Sequence, residues 1–157
     1  MFNIGDKIAH PMHGAGIIDS IEERKMGGVT RSYYLMRMRG GMTVLFPVEN
    51  CDAVGVRPVC EPCVARDLID AIPALDIEMT ANWNRRYREN MQRITSGDLT
   101  EVARVIKGLI ARDGERGLST GERKMLHSAK QILISELVLS QDSSYEEVEQ
   151  SLDLIFA

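Results

Sequence analysis

The hydrophobic pattern of this chain changes its period near residue 60, and that change divides the 157 residues into two parts. In the first part, short runs of alternating apolar and polar residues are separated by glycines and prolines. Gly27-Gly28 predicts a turn, and Gly40-Gly41 predicts a two-residue hairpin. A last short strand is predicted at residues 53–57. Five short strands in this space favour a small SH3-like or Tudor-like five-stranded β-barrel over residues 1–58.

In the second part, apolar residues recur every three or four positions, which is typical of helices that share a core. Asp98 and Ser119 each begin a capping-box pattern before such a run, and Ser143 or Ser144 begins the last one. Residues 59–157 are therefore expected to form a compact all-α domain of about five helices. The chain as a whole is predicted to belong to the α+β class.

Acidic residues outnumber basic ones and give the chain a net charge of −4. The excess is greatest in residues 141–157, which contain five acidic residues and no lysine or arginine. An acidic protein binds free DNA weakly, so a role on DNA would require another partner to deliver it there. No apolar run approaches the ~20 residues that span a bilayer, and the N-terminus lacks a signal-peptide pattern. We therefore expect a monomeric cytoplasmic protein with no membrane partner.

The only tryptophan, Trp83, stands in the densest arginine cluster of the chain, with Arg85, Arg86, Arg88 and Arg93 close behind it. Guanidinium groups bind phosphates bidentately. An indole ring beside them can stack on bases or insert between them. Helical spacing places Arg85 and Arg88 on one side of the predicted helix, and Arg86 with Arg93 on another. The cluster therefore indicates nucleic acid as a partner.

Simpler interpretations of this cluster remain open. Trp83 shares its helical register with Tyr87 and Met91, so it would serve equally well as a core residue. In that case the arginines would form a solvated face, and the chain would be an adaptor that binds only proteins. Arg123 and Lys124 are further candidates, because the first turn of a helix has unpaired N–H groups that favour phosphate.

A second alternative rests on the cysteines. Cys60 and Cys63 have the Cys-x-x-Cys spacing of zinc and thiol-redox sites. A zinc site would need two more ligands, which Cys51 and either His10 or His13 would supply only if the fold brought them together. Otherwise the three cysteines are reduced thiols. No phosphate-binding loop, nucleophile elbow or pair of catalytic carboxylates is evident, so neither an enzyme nor a cofactor is predicted.

Several motifs along the chain carry a family resemblance. In the first part they are Gly5-Asp6-Lys7, Pro11-x-His13-Gly14 and Pro47-Val48-Glu49-Asn50. In the second part they are Trp83-Asn84-Arg85-Arg86-Tyr87-Arg88, Ser96-Gly97-Asp98 and Gly117-Leu118-Ser119-Thr120-Gly121-Glu122-Arg123-Lys124-Met125-Leu126. Together these strings resemble the CarD/CdnL family of bacterial transcription regulators over nearly the whole chain. The cysteines do not belong to the family pattern.

The resemblance implies a two-domain protein that binds RNA polymerase and catalyses no reaction. The N-terminal barrel would dock on the protrusion of the polymerase β subunit, largely by extending a sheet edge to edge. Arg24, Val44, Leu45 and Pro47 are the expected polymerase contacts. Leu45 departs from the family, because relatives carry a basic residue at this position.

The resemblance also implies that the helical domain lies against promoter DNA at the upstream edge of the transcription bubble. There Trp83 would wedge into the minor groove while basic residues hold phosphates, and the promoter open complex would become more stable. The resemblance carries directly to Arg85 and Arg88, and Arg123 is the next candidate. Arg86 and Lys124 complete the expected DNA contacts. The protein would associate with the nucleoid through RNA polymerase.

Overall fold

The computed structural model describes all residues from 1 to 157. The first part of the chain forms one antiparallel sheet with the strand order β4-β3-β2-β1-β5. Its strands are β1 (Lys7–His10), β2 (Gly14–Met26), β3 (Val29–Arg37), β4 (Thr43–Pro47) and β5 (Arg57–Pro58). The helices are α1 (Cys51–Val54), α2 (Pro62–Ala71), α3 (Trp83–Ile94), α4 (Leu99–Arg116), α5 (Thr120–Gln141) and α6 (Tyr145–Phe156). This arrangement confirms the predicted α+β class, with a Tudor-like sheet module followed by helices.

The two glycine pairs form different turns. Gly27 and Gly28 have positive φ and make the two-residue turn between β2 and β3, where Met26 pairs with Val29. Gly40 and Gly41 also have positive φ, but they belong to a short 3-10 turn over Arg39–Gly41. The ladder closes where Met38 N–H donates to Met42 O over 2.7 Å. The prediction of a two-residue hairpin at Gly40-Gly41 was therefore wrong, because the loop contains three residues.

The prediction of a strand at residues 53–57 was also wrong for the first half of that range. Asn50 adopts left-handed backbone angles and turns the chain into the four-residue helix α1. Gly55, with φ of 98°, ends that helix and donates its N–H to the carbonyls of Cys51 and Asp52. Only Arg57 and Pro58 remain to pair with β1.

Four of the five main helices begin with a side-chain cap, and for Asp98, Ser119 and Ser144 the sequence pattern predicts it. Asn82, Asp98, Ser119 and Ser144 each accept a backbone N–H of the following first turn. The fifth, α2, begins with Pro62 at its first position, where a missing N–H costs nothing. The helix α4 continues to Arg116, and Gly117, which has a positive φ, ends it.

Each part of the chain has its own hydrophobic core. The core of the sheet consists of Ile8, Ile18, Tyr34, Met36, Phe46, Cys51 and Val56. A larger core of 19 buried residues joins the helices from α2 onward, and α4 and α5 supply most of it. No helix is both long enough and apolar enough to cross a membrane.

The sheet and the helices are held together by a partly buried ion pair, in which the carboxylate of Glu136 is buried. Arg57 of β5 binds Glu136 of α5 through two hydrogen bonds of 2.6 and 2.9 Å, and Glu136 also accepts the backbone N–H of Cys60 over 3.0 Å. Close backbone packing supports this joint at Gly14, where a Cβ atom would lie 2.7 Å from Ser135 Oγ. The joint sets the position of the helices relative to the sheet.

Candidate nucleic-acid and protein interfaces

Trp83 is the first residue of α3 and is only partly buried. The Asn82 side chain caps the helix by accepting the N–H of Arg85 over 3.0 Å. The indole is 42% exposed and stacks on Tyr87, with ring centroids 5.1 Å apart and planes inclined by 20°. The interpretation of Trp83 as a core residue therefore does not fit its exposure.

The edge of the indole is held by the start of another helix. Trp83 Nε1–H donates to Ser119 Oγ over 3.1 Å. The same hydroxyl accepts the N–H of Glu122 over 3.2 Å and lies 3.3 Å from Glu122 Oε1, to which it can donate. Gly121 packs beside the aromatic pair, and a Cβ atom there would lie 3.5 Å from the indole, in ordinary van der Waals contact. The ring is thus oriented by contacts on one side and exposed on the other.

Arg86 is not part of the exposed surface, and this corrects its prediction as a DNA contact. Its side chain is 2% exposed and forms a buried ion pair with Glu122, the nearest atoms being 3.0 Å apart. It also donates to the carbonyls of Thr80 and Ala81 over 3.0 Å. Burial raises the pKa of Glu122, but hydrogen bonding and charge from Arg86 outweigh it, and the net pKa is lowered. The pair ties α3 to α5 beneath the indole.

Arg85 and Arg88 are both exposed but differ in their partners. Arg85 forms an ion pair of 2.8 Å with Glu89, one turn further along α3. Hydrogen bonds from Thr80 and then from Arg85 lower the pKa of Glu89. Arg88 is exposed and forms no ion pair within 4.0 Å. Arg88 is therefore the more available cation of the two.

Arg123 and Lys124 lie in the first turns of α5, next to the helix start that holds the indole. Arg123 is exposed, donates to Leu118 O over 3.3 Å and lies 3.9 Å from Asp113. Lys124 is exposed and has no carboxylate partner within 4.0 Å. The starts of α3 and α5 meet at the Trp83–Ser119 hydrogen bond, so both basic groups belong to the helix start that holds the ring. Arg93, by contrast, is bound to Asn90 and lies 3.8 Å from Glu101.

The second candidate surface is the free edge of β4, which pairs only with β3. Met38 bonds to Met42 at one end of the ladder, and Val48 N–H donates to Ser32 O at the other. Because hydrogen-bonded and non-hydrogen-bonded pairs alternate in an antiparallel ladder, Val44 and Phe46 direct their backbone groups to β3. Thr43 and Leu45 therefore direct theirs away from the sheet. The backbone of Val44, predicted as a contact, is used inside the sheet.

An apolar face of the sheet continues from this edge. The register places Leu45 beside Leu35 and Pro47 beside Tyr33 on one face of the sheet. Arg24 lies opposite Arg31 on that same face and bonds to Glu22 over 2.9 Å. Alternation in β3 indicated that Tyr33 and Leu35 share a face, but only the pairing register shows that they adjoin Leu45 and Pro47. Tyr33 and Leu35 are therefore further candidate contacts that were not predicted from the sequence.

The three cysteines lie in different surroundings. Cys51 is buried and donates to Pro47 O over 3.1 Å, while Cys63 is exposed in α2. Cys60 is half-buried, and its backbone carbonyl accepts the hydroxyl of Ser140 over 2.6 Å. Burial raises the pKa of both Cys51 and Cys60. No three His, Cys, Asp or Glu side chains are grouped in a way that could hold a metal ion.

The two histidines considered as zinc ligands pack on each other instead. The rings of His10 and His13 have centroids 4.6 Å apart. His10 Nδ1 accepts the N–H of Met12 over 3.2 Å, and its ring also contacts Phe46. Burial, with a smaller contribution from His13, lowers the pKa of His10 to about 4. His10 is therefore a neutral structural residue of the turn after β1.

Two family models match the chain, and curated relatives match it as well. The model described as CarD-like/TRCF RID domain matches residues 2–60, and the model described as CarD, C-terminal domain, matches residues 67–153. The chain is 36% identical over 138 residues to the protein named "Putative transcription factor YdeB" from Bacillus subtilis (strain 168). The match covers 87% of this chain and 90% of that relative.

Proposed function

The chain belongs to the CarD family of transcription regulators, and we propose that it bridges RNA polymerase and promoter DNA. In this proposal the edge of β4 and its adjoining face bind the polymerase β subunit. The exposed Trp83, with the basic residues around it, binds the upstream edge of the transcription bubble. The observation that carries the proposal is the half-exposed indole, oriented by Ser119 where two basic helix starts meet.

On the DNA side, the ring has both the exposure and the orientation that insertion requires. Separating stacked bases with an apolar wedge costs a few kcal/mol per step, and the cost is smaller where the duplex is already opening. The indole therefore binds the melted state better than the closed state. A ligand with such a preference shifts the population toward the state that it favours, without catalysis.

The cations around Trp83 supply the phosphate contacts. Arg88 and Lys124 have no acidic partner in the protein, so phosphate binding disrupts no ion pair at these positions. Arg85 and Arg123 are themselves exposed in their ion pairs, and ion pairs at the surface are weak enough to be exchanged for a phosphate. Arg86 acts only indirectly, because its pair with Glu122 holds the two helix starts together.

On the polymerase side, the backbone groups of Thr43 and Leu45 are available to bind another strand. Such pairing gives affinity through main-chain hydrogen bonds and specificity through side chains beside the edge. Leu45, Leu35 and Tyr33 offer apolar contacts on one face. Arg24 and Arg31, on the same face, favour acidic side chains in the partner.

The negative net charge of the chain is consistent with a DNA-binding surface that polymerase brings to the promoter. With a net charge of −4, the protein has little general attraction for DNA. Binding to polymerase would raise the effective concentration of Trp83 at the promoter. The Arg57–Glu136 joint would keep the two surfaces in a defined relation.

The test is the lifetime of the open complex on a promoter that melts poorly, measured with bacterial RNA polymerase. We expect the protein to lengthen this lifetime and the variant Trp83→Ala to bind polymerase normally without lengthening it. Arg66→Ala, which removes an exposed arginine of α2 near the C-terminal end of α5, serves as the control and should act like the original protein. Equal lifetimes with the original protein and Trp83→Ala would reject the wedge.

A further inference from the structure

A cleft between the sheet and the helices has no role in the proposed function. It has a volume of about 550 Å³ and lies between β2, β3 and β4 on one side and α5 and α6 on the other. Small-molecule sites typically have volumes of about 300–1,000 Å³ and often lie between domains. The cleft shares no lining residue with the Trp83 site.

Apolar side chains line part of both walls of the cleft, beside polar residues such as Gln131 and Ser135 of α5. The apolar side chains are Ile17, Met38, Met42 and Val44 from the sheet and its turn, and Val138 and Leu139 from α5. Methionine side chains are flexible and polarizable, so they adapt to ligands of different shape. The walls therefore suit the apolar body of a small molecule.

The charged residues that line the cleft all have the same sign. They are Arg37 and Arg39, accompanied by His13 and His127, and no carboxylate lines the cleft. The guanidinium of Arg39 stacks over the ring of Tyr145, 3.8 Å from its centroid, which restrains it at the mouth. This arrangement gives a partly apolar cleft a positively charged lining, which attracts an anionic group.

The arginines keep only weak partners of their own. Arg39 lies 2.8 Å from Glu146, but both side chains are more than half exposed. Arg37 lies 3.7 Å from Asp19, where both side chains are also well exposed. Exposed ion pairs contribute little, so an incoming carboxylate can replace Glu146 or Asp19 at small cost.

We propose that this cleft binds a small amphipathic carboxylate. Its apolar body lies between the sheet and α5, and its carboxylate is held by Arg37 and Arg39. Planar guanidinium groups match a carboxylate bidentately, which gives orientation as well as attraction. Because the walls come from the two parts of the chain, the bound molecule stabilises their association by mass action.

Octanoate is the probe, and binding is measured on the full chain by calorimetry and by amide chemical-shift changes. Octan-1-ol has the same apolar body without the charge, and butyrate has the charge on a short body. We expect saturable binding of octanoate, with both comparison compounds weaker by about tenfold or more. Equal binding of octan-1-ol would overturn the proposal. Shifts located instead in a second groove, which lies between α2 and α6 and is lined by Arg66, Ile69 and Leu152, would also overturn it.

Variants locate the site independently. The double variant Arg37→Gln/Arg39→Gln should weaken octanoate binding by about tenfold or more, and Val138→Phe should weaken it by filling the cleft. Arg116→Gln removes an exposed arginine remote from the cleft and should bind octanoate normally. Equal weakening by Arg116→Gln and the double variant would show a general charge effect and reject the site. Because the two sets of substitutions affect different walls, misfolding of one leaves the other as a test.

Discussion

The hydroxyl of Ser119 accepts two hydrogen bonds that have different roles. It caps α5 by accepting the N–H of Glu122, and it accepts the indole N–H of Trp83 from another helix. The orientation of the exposed ring therefore depends on the start of α5. This dependence could not be read from the sequence, because the two residues lie 36 positions apart.

We expect Ser119→Ala to destabilise the protein by about 1 kcal/mol through loss of the cap and to loosen the indole. Ser144→Ala is a matched control, because Ser144 caps α6 in the same way and does not contact Trp83. Both variants should lower the unfolding midpoint, but only Ser119→Ala should lower the fluorescence anisotropy of Trp83. Equal anisotropy in the two variants would contradict the anchoring role.

Arg86 and Arg88 differ by two positions and have opposite surroundings. Arg86 lies beneath the indole in an ion pair with Glu122, whereas Arg88 is exposed and unpaired. Removing one partner of a buried pair costs about 3–5 kcal/mol, and an exposed substitution changes stability by less than about 0.5 kcal/mol. Arg86→Ala should therefore lower the urea midpoint strongly, whereas Arg88→Ala should leave it unchanged and shorten the open-complex lifetime. A stable Arg86→Ala variant would show that the ion pair does not hold α3 to α5.

At the level of secondary-structure elements, the open edge of β4 makes the sharpest prediction. The N–H of Leu45 points away from β3, so Leu45→Pro removes one outward donor without breaking the sheet. We expect this variant to fold normally and to lose most of its affinity for RNA polymerase in a pull-down. Leu45→Val keeps the N–H and a branched apolar side chain, so it should still bind. Unchanged binding by Leu45→Pro would rule out pairing through this edge.

Elements that depend on local signals were predictable from the sequence, and elements that depend on distant contacts were not. The starts of α4, α5 and α6 follow from the capping side chains of Asp98, Ser119 and Ser144. The helix α1 arises from the left-handed conformation of Asn50. The apolar residues at 53–57 suggest a strand instead, so the sequence did not predict this helix.

The same distinction applies to the candidate sites. The Trp83 cluster was visible because its residues are neighbours in the sequence. The burial of Arg86 was not visible, because its partner Glu122 belongs to another helix. The apolar face around Leu45 likewise required the register between β3 and β4, since a shift of one residue would have turned different side chains outward.

For the whole molecule, the proposed bridging requires one chain to bind two partners at once. The Arg57–Glu136 ion pair and the close contact of Gly14 with Ser135 join the sheet to the helices. The proposed polymerase surface and the proposed DNA surface are therefore held in a fixed relation, and loss of either surface should abolish the effect on the promoter.

The most direct measurement is open-complex lifetime with Leu45→Pro and Trp83→Ala, each alone and then mixed. Each variant retains one of the two surfaces, so neither alone should lengthen the lifetime. We expect that their mixture also leaves the lifetime unchanged, because no molecule in it can bridge polymerase and DNA. A mixture that restores the lifetime given by the original protein would show that the two surfaces act separately, and it would contradict the bridging mechanism.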